Sequence, residues 1–600
     1  MARTDGVPLF VEELTKTVLE SGLLTAAGDH YEFSGPLPPL AIPATLHDSL
    51  MARLDRLATV KEVAQAGAVI GREFSHDLLA AVSPLAAAEL DAALDQLVAA
   101  ELVFRRGSPP DATYSFKHAL VQDAAYQSLL KSKRQQVHAL IVQVLEQRFP
   151  DVMDTKPELL AHHCVEGRLT EKAVAYWYRA GQRAIARSTL AEAAAHLAKG
   201  LEMLRVLPEG SERDRQELDL QIALGVALIP LKGQASPETG QVYARAHELC
   251  RRIGETEQLF PVLYGQWVSH VTRAELASAR LVAEELLQLG QRQVNAGVQA
   301  IAHRALGTVA LFMGEFGSAA AQLERTIAIY EPATHGNLAF LYTQDPGLTA
   351  RVFLPSVLVV LGHAGQTRER HREVLAEARN LAHPNTLAQV LLICCFVRHL
   401  LRDGPGVVEL AEELIPLSAE QGFPYWLGMA TILKGWALTR AEERERGMDL
   451  MRQGLTTYRA TGAENWVPYF LALLADGCRE LDRPVEGLDL LAEALATVRR
   501  TRERWCEAEL HRLRGKLLLC LPGPDEHAAE AAFRESIAVA REQSARLWEL
   551  RAATSLARLW RDQGKRAEAY GLLAPVYGWF TEGFDTADLK DARALLDELR

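Results

Sequence analysis

The chain has 600 residues, 48% hydrophobic and 24% charged, which is a globular composition and not a disordered one. Its net charge of −12 gives no whole-surface reason to bind nucleic acid, so only a local basic patch could do so. No apolar run reaches the roughly 18 residues of a membrane span, and no signal-peptide pattern opens the sequence. The seven cysteines are odd in number and contain no C-x-x-C pair, which argues for reduced, mostly buried thiols in a cytoplasmic protein.

Taken in chain order, residues 1–35 predict one helix over about 8–21, then a polar loop. The helix opens on Gly6-Val7-Pro8-Leu9, with proline just inside the first turn, by itself an ordinary helix start. Pro36, Pro38, Pro39 and Pro43 predict a stiff linker over 36–43. Residues 44–150 then predict a small domain. Leu46, Leu50, Leu54 and Leu57 mark one apolar helix face, and two further helices follow in FSHDLLAAV and AAELDAALDQLVAAEL. LVFRRG and TYSFKH, either side of Pro109-Pro110, alternate like a hairpin, and HALVQDAAYQSLL returns to helix. Helices followed by a two-stranded wing predict a winged-helix-like domain, with His118 at the start of its last helix.

From 155 to 585 every segment predicts helix, and a repeat appears. A small residue is followed twelve residues later by another, then four later by a large apolar one. Instances are Ala161/Ala173/Trp177, Gly181/Ala193/Leu197, Gly265/Ala277/Leu281, Gly307/Ala319/Leu323, Gly435/Gly447/Met451, Ala475/Gly487/Leu491 and Ala557/Ala569/Leu573. Gly515 opens a further copy with a longer loop. Small residues at the first two places let the helices of one hairpin touch, and the large one packs into the neighbouring hairpin. This is a degenerate tetratricopeptide pattern with a step of 40 to 42 residues. Residues 330–425 fit it poorly and predict irregular hairpins. Residues 586–600, with Leu589, Ala592, Leu595, Leu596 and Leu599 on one face, predict a capping helix. The fold class is therefore all-α: a winged-helix-like domain with a small β hairpin, followed by an α-solenoid of tetratricopeptide-like hairpins.

No catalytic constellation stands out. Gly515-Lys516 and Gly564-Lys565 are not followed by Ser or Thr, so there is no Walker A loop and no complete nucleotide site. Neither an H-E-x-x-H zinc motif nor a G-x-S-x-G elbow is present. His162-His163 are adjacent on a helix and point to different faces, a surface or packing pair more than a metal site.

The order GxPLFxEEL, IPATLxxxLxARLDRL, FKHALxQDAAYxSLL and then repeats resembles the C-terminal half of bacterial STAND-type, AAA-like ATPases. More narrowly, it resembles those that carry an N-terminal class III adenylate/guanylate cyclase domain and a tetratricopeptide tail. The segments 507–519 and 573–596 are also similar to that subfamily's tail. The resemblance covers nearly the whole chain, but the cyclase domain and nucleotide-binding core are missing from it. It implies that Gly6 and Pro8 match the adenine-facing GxP motif. His118 would be the matching β-phosphate contact, although the family reads Met-His-Asp where this chain reads Lys117-His118-Ala119. These would be vestigial ADP/ATP contacts: the chain alone implies no cofactor, and ATP or ADP only if the missing domain is supplied.

Tetratricopeptide stacks bind partners on the concave face lined by the first helix of each hairpin. With the small residue as position 8, positions 2, 5, 9, 12 and 13 face that groove. In the last four copies this places Trp436, Arg440, Arg479, Arg512, Lys516, Arg551, Arg558 and Arg561 there, against Asp476, Glu480, Glu509 and Asp562. The basic excess implies an acidic peptide or a partner's terminal carboxylate. The sequence thus reads as a non-catalytic regulatory and protein-interaction module, working with a separately supplied nucleotide-binding or cyclase part or left by a truncated or split gene. The alternative, a winged-helix transcription regulator, is disfavoured by the acidic helix before the wing.

Overall fold

The computed structural model describes residues 24–27, 30–33, 50–51, 54–55, 58–254, 258–342, 344–365, 367–441 and 443–600. The expected helix over 8–21 and the proline linker lie outside these residues. Where a polar loop was expected, two strands stand instead: β1 (Leu24–Ala27) and β2 (His30–Phe33), antiparallel with Ala27 opposite His30.

The chain divides into two compact units, residues 1–180 with 199–208, and residues 181–198 with 209–600. The first unit contains the expected small domain. Its helix Ala58–Ile70 is followed by β3 (Glu73–Ser75), helices His76–Val82 and Ala87–Ala99, then β4 (Val103–Arg106) and β5 (Thr113–Phe116). Helices Ala119–Gln127 and Lys131–Arg148 follow. The sheet order is β3-β5-β4, antiparallel throughout, so the hairpin read from the sequence gains a third strand. Phe74 on β3 stacks on Tyr114 at 5.7 Å and meets Phe116 at 5.6 Å, which carries the sheet into the helical core. A side chain at Gly67 would lie 2.8 Å from the Phe74 ring, so only glycine lets the first helix rest there. Leu50 and Leu54, the described members of the expected leucine face, are buried.

The second unit is a stack of antiparallel helical hairpins. Its period is written in the turns: Ala382, Gly422, Gly462 and Arg502 recur every 40 residues, each left-handed (φ 52°, 67°, 78° and 61°) at the exit of a hairpin's second helix. The small–small–large rule holds in most copies. A Cβ on Gly435 would come within 2.6 Å of the Gly447 carbonyl, so helices Pro424–Thr439 and Arg444–Arg459 touch backbone to backbone. Ala557, Ala569 and Leu573 are fully buried.

Two expectations are corrected. Leu281 is 68% exposed and Ala277 is exposed, so the Gly265 copy is out of frame. The buried pair is Ala279 and Ala283, forty residues before Ala319 and Leu323, while Gly265 packs against Tyr243 of the preceding helix. Residues 330–425 are also more regular than expected. Only Pro332–His335 and Leu338–Leu341 are short pieces, and two full hairpins follow, Pro346–Leu361 with Thr367–Asn380 and Pro384–Leu400 with Gly404–Glu420. The template fails there because the close-contact places hold other residues. Buried Cys395 stands where glycine is found in the next-but-one helix, its Sγ–H 3.5 Å from the Val407 carbonyl, and in the preceding hairpin the corresponding places hold buried Pro355 and Thr367. The last helix, Ala587–Leu599, buries all five of its expected apolar residues against Arg546–Asp562 and its neighbours.

The solenoid winds tightly enough for successive turns to touch. The Thr272 carbonyl, at the end of helix Leu259–Thr272, accepts from the backbone N–H groups of Glu464 and Asn465 at 2.9 and 3.1 Å. Forty residues on, Phe312 accepts in the same way from Arg504 and Trp505 at 2.9 and 3.2 Å. These are carbonyls that a helix end leaves unpaired, satisfied by a later turn of the coil. Phe312, Phe396, Trp466, Tyr469 and Trp505 fill the space between in edge-to-face contacts, with Tyr469 tilted against Trp505. In the middle of the stack the inner face is therefore core and not open groove: Ile301, Arg304, Thr308, Leu311 and Phe312, the five groove positions of the Gly307 copy, are all buried.

Candidate functional site

The inner face opens again near the C-terminus, into a cavity of about 280 Å³. It lies among helices Pro384–Leu400, Pro424–Thr439, Val467–Glu480, Glu507–Leu519, Arg546–Asp562 and the last helix. Of the eight residues expected in the groove, Trp436, Arg440, Arg512, Lys516, Arg551 and Arg558 line it. Arg479 and Arg561 do not. Arg479 is folded back onto Asp476 and Glu480, and Arg561 pairs with Asp562 at 2.9 Å and Glu598 at 2.6 Å. Arg402 and His399, from a hairpin where no repeat frame was visible in the sequence, complete the basic wall, and Asp588 and Asp591 reach in from the last helix. Five arginines and Lys516 thus face four carboxylates, Asp476, Glu509, Asp588 and Asp591.

Most of these charges hold one another. Arg512 grips Glu509 through two bonds at 2.7 and 2.6 Å, both residues buried. Arg551 donates to Asp588 at 2.8 Å and to the Leu400 carbonyl at 2.6 Å. Arg440 pairs with Asp476, and with Glu480 at 3.0 Å; Arg402 pairs with Asp591 at 2.7 Å. Burial would raise the Asp476 carboxyl, but the charges of Arg440 and Arg479 hold it well below the usual carboxylate range. The same balance, with Arg551 as the main partner, keeps Asp588 ionised.

Lys516 is different. Among the described residues no carboxylate oxygen lies within 4.0 Å of its ammonium, and no hydrogen bond holds it. The Arg512 charge, reinforced by burial, pushes its pKa down to about 7. Arg558 is nearly as free, its single carboxylate, Asp591, being 4.0 Å away. The floor is aromatic: His399 meets Trp436 edge-on at 4.1 Å and shares a hydrogen bond of 2.5 Å with the Tyr469 hydroxyl. Burial, with Arg551 nearby, pushes His399 down to about 3, so it is neutral and adds no charge. The cavity therefore offers an unsatisfied ammonium and a half-satisfied guanidinium above a flat apolar floor, a setting that suits an anionic group with a planar or apolar neighbour.

The nucleotide-facing residues implied by resemblance fare differently. Gly6 and Pro8 lie outside the described residues. His118 is half-buried and caps helix Ala119–Gln127 through its backbone, its carbonyl accepting from Val121 at 3.1 Å, with no cap bond from the imidazole. Of the His162-His163 pair, His163 is buried with its Nδ1 2.8 Å from Nδ1 of His138, and His162 is exposed. Among the described residues no group of three or more His, Cys, Asp or Glu side chains is placed to hold a metal ion. All seven cysteines are free thiols, six of them buried and Cys520 exposed. No helix of the described residues is long and apolar enough to cross a membrane.

No family model matches the chain. Among curated proteins it is similar to an uncharacterized protein of Rhizobium meliloti (strain 1021), 24% identical over 564 residues; the match covers 92% of this chain and 53% of that protein. The chain thus spans about half the length of that relative. Among solved structures it is similar to a Rap protein complexed with competence and sporulation factor (12% identity, 62% of this chain and 98% of the other, TM-score 0.42). It is also similar to a STAND protein with a tetratricopeptide repeat sensor from Pyrococcus horikoshii (12% identity, 100% and 70%, TM-score 0.27). A third is human IFIT1 with a capped RNA (13% identity, 78% and 94%, TM-score 0.36).

Proposed function

We propose that this chain is a non-catalytic regulatory and protein-interaction module whose C-terminal cavity takes the acidic group of a partner protein, an Asp or Glu side chain or a terminal carboxylate. The observation that carries this reading is the charge arrangement of the cavity: six cations over four carboxylates, with Lys516 unpaired. An incoming carboxylate would meet Lys516 and Arg558 without displacing an existing strong pair, so its binding would not have to repay a broken bridge.

The small domain of the first unit would act as the coupling element. Its helix–strand–helix–helix–hairpin order supports a winged-helix reading, and the idea of a nucleotide-binding or cyclase part working with it rests on the sequence resemblance. In such a STAND-type ATPase, His118 would face the phosphates and Gly6 and Pro8 the adenine, and a ligand on the repeats would bias the docking of the small domain. The helix before the wing carries Glu89, Asp91 and Asp95, and Arg105 on the wing is already paired with Asp95 at 2.7 Å, which does not favour a DNA role.

The test is a peptide array of acidic sequences, each with a free or an amidated C-terminus, probed with the purified chain and with Lys516→Gln. Binding of acidic peptides that is lost in the variant supports the reading. Equal binding by both proteins, or none above neutral peptides, contradicts it. The nucleotide part is tested separately: this chain alone is expected not to retain ADP, and tight ADP binding would contradict that part.

A further inference from the structure

A second cavity, of about 50 Å³, lies in the middle of the solenoid's inner face. Arg304 is in its wall, at position 5 of the Gly307 copy, and is only 3% exposed. Its Nη2 donates to the Tyr264 hydroxyl at 2.5 Å, and its guanidinium lies 5.0 Å from the centre of the Trp267 ring. Among the described residues no carboxylate comes within 4.0 Å of it, and its Nε is buried without an acceptor. The indole N–H of Trp267, in the same wall, is buried without an acceptor too.

This combination is costly in a folded core. A buried cation is normally paired, and an unpaired buried donor forfeits a hydrogen bond to water. Elsewhere in the unit buried arginines obey that rule, as Arg512 does with Glu509. Two unsatisfied donors on one cavity wall, one of them charged, call for an anionic acceptor. A water needs about 10–15 Å³, so the space holds more than one water and accepts a small planar group. The remaining wall is amide and apolar, with Gln389 and Asn465 beside Phe353. We infer that Arg304 and Trp267 form a carboxylate-binding site that takes a small monocarboxylate with a short apolar chain, borne either by a free organic acid or by the end of a peptide. The site is separate from the C-terminal cavity and does not depend on the function proposed for it.

The test uses the full chain, with sodium butyrate as probe, its neutral isostere butyramide, and sodium chloride at matched ionic strength. Thermal melting and tryptophan fluorescence are the readouts. Butyrate is expected to raise the melting temperature saturably and to change the Trp267 emission, whereas butyramide and chloride are not. In Arg304→Gln the butyrate shift should vanish while the ligand-free variant melts no lower than wild type, because an uncompensated buried charge has been removed. Trp267→Phe, which keeps a ring and removes the N–H, should weaken butyrate several-fold. The tripeptide Ala-Ala-Ala and its C-terminal amide separate the sources: the acid binding and the amide not points to a peptide end, and butyrate alone binding points to a free acid. No shift with butyrate or tripeptide, an equal shift with chloride, or an unchanged shift in Arg304→Gln overturns the inference.

Discussion

Glu503 is the most demanding buried group in the solenoid and gives the sharpest stability test. It is fully buried, with Oε1 accepting from the Trp466 backbone N–H at 2.9 Å and from the Trp505 indole N–H at 3.0 Å, and Oε2 without a partner. No cation lies within 4.0 Å among the described residues. Burial pushes its pKa up from 4.5 to about 8. The native state therefore keeps a proton between these two values that the unfolded chain has lost, and its contribution to stability falls as the pH rises through that window. At pH 7 the unfolded carboxyl sits about 2.5 units above its own pKa, so protonating it on folding costs about 3 kcal/mol at 1.36 kcal/mol per unit. Glutamine copies the neutral acid: its carbonyl keeps both accepted bonds, and its amide takes the place of an already unpartnered hydroxyl. Glu503→Gln is thus expected to stabilise the protein at pH 7 by up to about 3 kcal/mol and by almost nothing near pH 4.5. Melting curves of both proteins from pH 5 to 8 check this, the gap widening with pH. A variant less stable than wild type at pH 7, or a gap independent of pH, would refute the reasoning.

Other expectations follow from the same geometry. The ammonium of Lys516 titrates near pH 7 in the native state, so the unfolded chain holds more protons above that pH and the ligand-free protein gains stability as the pH rises from about 7 towards 10.5. An anion in the cavity should reverse the depression, so its binding takes up a proton and weakens as the pH rises past 7; calorimetry in buffers of different ionisation enthalpy measures that uptake. Arg512→Met would remove both short bonds to buried Glu509 and leave it only Arg551 at 3.8 Å, a loss of up to about 3–5 kcal/mol, which makes Arg512 unsuitable for probing binding. Gly447→Val drives a side chain into the Gly435 carbonyl and should cost about 1–3 kcal/mol or more, whereas Gly571→Ala, at an exposed helical glycine with nothing within 4 Å, should gain about 0.5–1 kcal/mol. Thermal melts of the two glycine variants should move in opposite directions.

Much of this fold is legible in the sequence because close helix packing demands small residues at fixed spacing, as at Gly435 and Gly447. It fades where a different residue meets the same demand. Cys395 in one hairpin and Pro355 and Thr367 in the one before it hid two regular hairpins, and Gly265, glycine for the sake of Tyr243, imitated the motif two residues out of register. β3 is only three residues long and too short to show a period, yet its Phe74 joins the sheet to the core. The basic wall of the C-terminal cavity follows from the groove rule, since Arg440, Arg512, Lys516, Arg551 and Arg558 sit at its positions. What the rule omits is what long-range winding adds: Arg402 meets Asp588 across 186 residues, and no local pattern announces that pair. The same winding turned the central groove into core, so that Arg304, a groove-position arginine by spacing, became a buried one.

The most direct test of the proposed role is calorimetric titration of an acidic peptide selected on the array into the full chain and three variants. Lys516→Gln and Arg558→Glu change the two least-paired cations of the cavity, and Arg561→Glu changes an arginine outside it that is bound to Glu598. The expected result is at least a tenfold loss of affinity in the first two, wild-type affinity in the third, and weakening with added salt. Wild-type affinity in Lys516→Gln and Arg558→Glu, or an equal loss in Arg561→Glu, would contradict binding of an acidic group in the C-terminal cavity.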